Sequence, residues 1–328
     1  MSSPKPLVLV LGATGSTGGS IIKGLLASGN FRIAALIRPA SASKVATEKL
    51  RSAGIDIRLG DVADSVEKHK EALAGVDILI SAVVGTIIDQ QKNIILAAQQ
   101  AGVKRVIPCD FGTPGAKGVR ELHDQKLAIR DFIKQNGIPH TFIDVGWWMQ
   151  VSLPIPLRSR APAEFKSMTH RIAGSGNAPI LLTDNDHIGT FVARIIADPR
   201  TLNHAVIIWE DQASMLDAQE IGARLSGEGQ KLKDLYITAE EVLQAVAAAK
   251  ERVTRDPSDW MSHAMQSWNE YIYSIQILHE NTLENAKRLG YLDARELYPD
   301  IATTTLEECA KGFYAMEEPA EAYGYTFN

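Results

Sequence analysis

Seven residues near the start of the chain, Gly12-Ala13-Thr14-Gly15-Ser16-Thr17-Gly18, have the makings of a phosphate cradle. Glycine turns the backbone tightly and lets bare N–H groups approach an anion, and a helix starting there adds the partial positive charge of its N-terminus. The spacing is G-x-x-G-x-x-G rather than G-x-G-x-x-G, and a purely structural turn is the competing reading. Arg38 stands twenty positions beyond Gly18, where a site for NAD carries Asp or Glu to hold the ribose hydroxyls. Lys44 follows, with no carboxylate between the two cations. Such a pair suits a 2′-phosphate through charge-assisted contacts, so these residues favour NADP(H) over NAD(H); a solvated basic turn is the alternative.

Proton chemistry has fewer candidates. No tyrosine has Lys four residues later, and the residue four before Lys126 is Leu122, so a Tyr-x-x-x-Lys dyad is absent. Lys126 sits near the start of a helix expected over 121–135, after the fifth strand. A parallel sheet binds ligands beyond its strand C-termini. From there the ammonium could orient a nicotinamide ribose or hand a proton to a developing negative charge, with burial or a nearby cation pulling its pKa down. A solvated lysine on an amphipathic helix is the other reading. His123, on the same helical face, reads as a surface histidine, and Cys109 as a buried, inert thiol. The backbone at Val83 is expected to meet the ribose and pyrophosphate of the cofactor, and Asp110, Phe111 and Gly112 to line the nicotinamide side. Thr86 and Gln90 are weaker candidates, and Asp61 belongs either near an adenine or to a turn.

Trp147-Trp148-Met149 reads as an apolar platform for a flat ligand or as packing between two lobes. Trp260, Trp268, Tyr271 and Tyr273 could close the same pocket, with core packing the default. Cys109 and Cys309 lie far apart, and no Cys-x-x-Cys spacing suggests a metal, so a reducing, cytoplasmic setting is the simplest expectation.

The elements that must position these residues alternate. Leu7–Leu11 is a continuous apolar run, as in a strand buried on both faces. Strands are also expected over 32–37, 55–59, 76–83, 105–108 and 141–145, with helices over 18–28, 43–53, 89–101 and 121–135 between them. This rhythm is that of a doubly wound parallel α/β sheet of the Rossmann, NAD(P)-binding type. It spans residues 1–150, joined by about 180–210, where a loop leads to a helix capped by Asp186 and a strand begins near Ala205. Residues 151–328 then form a smaller, mostly helical substrate lobe, helical over 218–248 and 260–288, with a capping box at Thr305-x-x-Glu308 before the last helix.

The composition fits this plan. Of 328 residues, 45% are hydrophobic and 22% charged, which excludes a disordered chain. The net charge of −5 with no basic block gives no nucleic-acid surface, and no apolar run is long enough to span a membrane.

Gly12 to Gly18, Arg38, Ser81-Ala82-Val83, Val106 to Gly112, Lys126 to Arg130 and Gly137-Ile138-Pro139 together resemble the isoflavone reductase-like family of atypical short-chain dehydrogenases, with NmrA-like proteins as relatives. The resemblance implies NADPH-dependent hydride transfer to an aromatic secondary metabolite, and it implies that Lys126 is catalytic. Where the family has Pro-Ser-Glu-Phe-Gly, this chain has Cys109 and Asp110 before Phe111-Gly112. A Ser/Asn-rich stretch after the sixth strand is replaced by Asp144 to Met149. The expected substrate is phenylpropanoid-, quinone methide- or polyketide-like, and these departures point towards an aromatic or polyketide-like ligand other than those of the plant proteins. The expected partner is a small aromatic substrate, a homodimer staying open. The alternative function is an NmrA-like NADP sensor without catalysis.

Overall fold

In a computed structural model, described for residues 4–228 and 235–323, the first strand is buried on every residue and sits mid-sheet. The chain runs β1 (Leu7–Leu11), α1 (Ser16–Ser28), β2 (Arg32–Ile37), α2 (Val45–Ser52), β3 (Asp56–Leu59), α3 (Val66–Ala72), β4 (Ile78–Ser81), α4 (Lys92–Gln100), β5 (Arg105–Ile107), α5 (Glu121–Gln135) and β6 (Thr141–Asp144). It continues through β7 (Trp147–Trp148), α6 (Met149–Ser152), α7 (Ala163–Thr169), β8 (Arg171–Ala173), β9 (Ile180–Thr183), α8 (Ile188–Ala197), β10 (His204–Ile207), β11 (Asp211–Ala213) and α9 (Met215–Leu225). The last part holds β12 (Leu235–Ile237), α10 (Ala239–Arg255), α11 (Trp260–Ile272), α12 (Leu283–Arg288), β13 (Tyr291–Asp293), α13 (Ala294–Leu297) and α14 (Leu306–Ala315).

The parallel order β3-β2-β1-β4-β5 is that of a doubly wound fold. A bridge from Val106 to His140 links it to a second parallel set, β6-β10-β13. One face is covered by α1 and α8, with Ile21, Leu25, Phe191 and Ile195 in its core. The other packs against Ile94, Ile95 and Ala98 of α4 and Ile129 and Ile133 of α5. The two helices on the first face touch backbone to backbone: a Cβ on Gly24 would lie 2.1 Å from the Gly189 carbonyl oxygen.

Several local expectations change. The loop expected at 180 is strand β9, paired with β7 and β11. Helix α3 and strand β13 are additional elements, the latter joining the sheet from within the region expected to be helical. Asp186 is not a cap; the Asp184 side chain accepts its N–H instead, at 2.9 Å. Asp61 serves a turn, its carboxylate accepting the Ala63 N–H. Within the helical run expected over 218–248, residues 229–234 lie outside the described ones. The capping box at Thr305 and Glu308 is present. Among the described residues, no helix is long and apolar enough to cross a membrane.

Candidate active site

The glycine turn is formed by contacts that leave no room for a side chain. Gly12 has a φ of +72° and accepts the Gly15 N–H at 2.9 Å. A Cβ on Gly12 would stand 2.1 Å from the Ala82 carbonyl oxygen beyond β4, and one on Gly18 would stand 2.0 Å from the Gly12 oxygen. Helix α1 therefore begins tight against the sheet. Gly15 is its N-cap, with no side chain capping the end and no acid in the first turn, so the N–H groups there are free to meet an anion. Thr14 and Ser16 are exposed at this edge. These features fit a pyrophosphate.

The register pairing Leu11 with Leu36 brings Arg38 out of the sheet beside this turn. Arg38 and Lys44 are both exposed, and neither pairs with a carboxylate among the described residues. Neither lines the main cavity, and nor do Gly12, Thr14 and Gly18.

That cavity, about 480 Å³, begins at Gly15, Ser16 and Thr17. It passes Val83 beyond β4, then Asp110 and Phe111 beyond β5, and reaches Lys126. Trp147 and Trp148 line it; Thr86 and Gln90 do not. Its far wall is α11, through Met261, Met265, Trp268 and Tyr271, backed by Phe165 and Tyr323. Met149 is not part of it. It follows the tryptophans into a short helix and packs with Leu153, Leu306 and Phe313, fully buried. Trp260 and Tyr273 also lie off the wall. The spacing of 261, 265, 268 and 271 on one helical face is the sequence signal for this wall.

Helix α5 buries a polar stripe: His123, Lys126 and Arg130. Lys126 is 8% exposed, which removes the solvated-lysine reading, and its ammonium donates to the Asp110 main-chain oxygen. Burial draws its pKa down, but the fields of Tyr271, Cys109, Asp110 and Asp144 outweigh this, and the result is above the ordinary lysine value. The expected lowering is thus reversed, because Tyr271 and Cys109, and after them the Asp110 and Asp144 carboxylates, surround the lysine where a cation was expected. His123 is also buried, its Nε2 3.1 Å from the Gly115 oxygen, and burial followed by Arg120 pushes it down to about 4. Cys109 is buried and its thiol is pushed up to about 11 by desolvation, so it stays protonated.

Behind Lys126, Arg130 bridges two buried carboxylates, at 3.1 Å from Asp110 and 2.9 Å from Asp144. Burial raises Asp110 to about 6 against the pull of Arg130, and its Oδ2 has no partner. Asp144 is also desolvated, yet Arg130, His123 and the Tyr291 hydroxyl hold it well below the usual carboxylate range. His123 and the extra hydroxyl donor, both acting on Asp144, explain why two acids sharing one guanidinium diverge. Helix α11 is tied to the start of α5: Glu270 accepts the Glu121 N–H at 2.8 Å, and the Gln266 amide donates to the Glu121 side chain.

Comparison with known proteins gives the family and the fold. The profile of the NmrA-like family matches residues 4–310. The chain is 36% identical over 306 residues to the asnovolin J 5',6'-dehydrogenase of Aspergillus novofumigatus, covering 92% of this chain and 93% of that protein. It is 30% identical over 322 residues to a phenylcoumaran benzylic ether reductase of Ginkgo biloba, with 94% and 99% covered. In fold it resembles the leucoanthocyanidin reductase–NADPH complex from Vitis vinifera, with a TM-score of 0.77, 20% identity, and 94% and 100% of the two chains covered. With the family match running through both the sheet and the wall over it, this chain belongs to the NmrA-like family.

Proposed function

We propose that this chain is an NADP(H)-dependent oxidoreductase of the isoflavone reductase-like kind, moving a hydride between the coenzyme and a flat aromatic or polyketide-like ring compound. One observation carries the reading: a single cavity runs from the free helix end at Gly15, past the buried ammonium of Lys126, to a wall of aromatic rings. A dehydrogenase and an ether reductase among its relatives, and a fold neighbour solved with NADPH, support it.

In this reading Gly12, Gly15 and Gly18 shape the pyrophosphate cradle, and Ser16 and Thr17 offer N–H groups to it while Thr14 borders it. Arg38 and Lys44 grip the 2′-phosphate. Val83, Asp110 and Phe111 flank the nicotinamide half. When bound, the reduced coenzyme supplies the hydride. Lys126 commits one proton to the Asp110 oxygen and keeps two N–H groups for a substrate oxygen. Its ammonium stays charged at neutral pH, so it stabilises negative charge on that oxygen and can release a proton to it. Trp147 and Trp148 face the ring system and exclude water.

Loss of NADPH absorbance across a panel of aromatic enones, quinone methide precursors and polyketide ketones tests the proposal. Turnover of at least one class is expected. Saturable NADPH binding with no turnover of any would leave a sensor instead.

A further inference from the structure

Two polar side chains from different helices converge over Gly112. A Cβ there would lie 3.0 Å from Tyr271 Oη and 3.4 Å from Lys126 Nζ. Both residues line the cavity, Tyr271 from α11 and Lys126 from α5. The phenol hydroxyl makes no hydrogen bond to any described residue, although the ring is 9% exposed and firmly held. The Arg120 guanidinium stacks 4.7 Å from the ring centroid, fixed in turn by two hydrogen bonds to Thr113. Trp147 packs 5.4 Å away. An oriented donor with nothing in the protein to donate to, beside a charged ammonium, is a site for an oxygen atom brought by a ligand.

We infer that Tyr271 is a second catalytic residue, and that its hydroxyl and the Lys126 ammonium together seat the one oxygen of a flat, apolar substrate. The inference rests on the oxidoreductase reading above. As the substrate carbon gains a hydride, with the reduced nicotinamide as donor, the carbonyl π pair moves onto oxygen. The Tyr271 O–H bond breaks as the substrate O–H bond forms. The resulting phenolate has the Lys126 ammonium nearby and the Arg120 guanidinium over its ring, and regains its proton from water. The pairing of lysine and tyrosine that the sequence lacks along one helix is thereby assembled from two. The rest of the nearby wall, Trp147, Trp268 and Met265, offers mainly apolar area, which suits a ring compound with an oxygen at its buried end.

Calorimetric titration of the full chain with 2-naphthol and with 2-methylnaphthalene tests this without turnover. The methyl compound keeps the ring and its size and lacks the oxygen that the two donors would meet. Wild type should bind the naphthol about tenfold more tightly, the worth of one good hydrogen bond to a charged or oriented donor pair. Tyr271→Phe keeps the ring between Arg120 and Trp147 and should bring that ratio close to one; Lys126→Met should lower it as well. A wild-type ratio in Tyr271→Phe overturns the assignment. NADPH uptake, measured in the same experiment, reports separately on the oxidoreductase reading.

Discussion

The ammonium of Lys126 donates to the main-chain oxygen of Asp110, sixteen residues earlier, and so fixes the lysine at the end of β5. A charged donor held in place in this way, facing the oxygen that gains charge, contributes about 10²- to 10³-fold to a rate. Lys126→Ala should lower turnover of the substrate found in the panel by that order, with NADPH affinity within a few-fold of wild type. Turnover that survives the substitution would remove Lys126 from the chemistry.

In the proposed reading, Arg38 carries the coenzyme preference. Losing one charge-assisted contact to a 2′-phosphate costs about 1.5–3 kcal/mol, or roughly tenfold or more in affinity. Fluorescence titration should show wild type preferring NADPH to NADH by at least that factor, and Arg38→Ala should lose most of the preference. Equal affinities in wild type would defeat the argument.

Two glycines separate site from scaffold. Gly18→Ala places a methyl 2.0 Å from the Gly12 oxygen inside the turn, while Gly189→Ala places one 1.8 Å from the Ser20 oxygen, at the contact of α8 with α1. Both should lower the melting temperature, since overpacking costs about 1–3 kcal/mol. Only Gly18→Ala should also abolish NADPH uptake. A Gly18→Ala protein that still binds coenzyme normally would show that the turn is not its seat.

His123 gives a pH dependence of stability. Its folded pKa, about 4, lies below the ordinary histidine value of 6.5. The stability it lends is therefore complete above pH 6.5 and lost as pH falls towards 4. Asp110, raised to about 6, acts in the opposite sense over the same window, because it takes up a proton more readily folded than unfolded. His123→Gln isolates the histidine: its melting temperature should fall less between about pH 7 and 4.5, by on the order of 2 kcal/mol of stability. Superimposable pH profiles for the two proteins would contradict this.

The parts of this molecule legible in the sequence are those with one dominant local signal. Leu7–Leu11 is apolar at every position, and the glycines after it can serve only a tight turn. Helix α3 escaped because Val-Glu-Lys-His-Lys-Glu-Ala has no apolar period, and β13 because three residues between two helices carry too little pattern. The site is harder still. Nothing local to Lys126 says that its face of α5 is buried, since that depends on α11, more than a hundred residues later, closing over it. Met149 was indistinguishable in type from its tryptophan neighbours; which of three consecutive apolar side chains faces a cavity is decided by backbone direction at a strand-to-helix change.

The place of β13 has a consequence for biosynthesis. Tyr291–Asp293 hydrogen-bonds to β10, so the free edge of that strand stays open until residues 291–293 have left the ribosome. An open edge is a template for unwanted pairing between nascent chains. The acidic and basic side chains that follow, in α13, arrive together with the strand that ends this exposure.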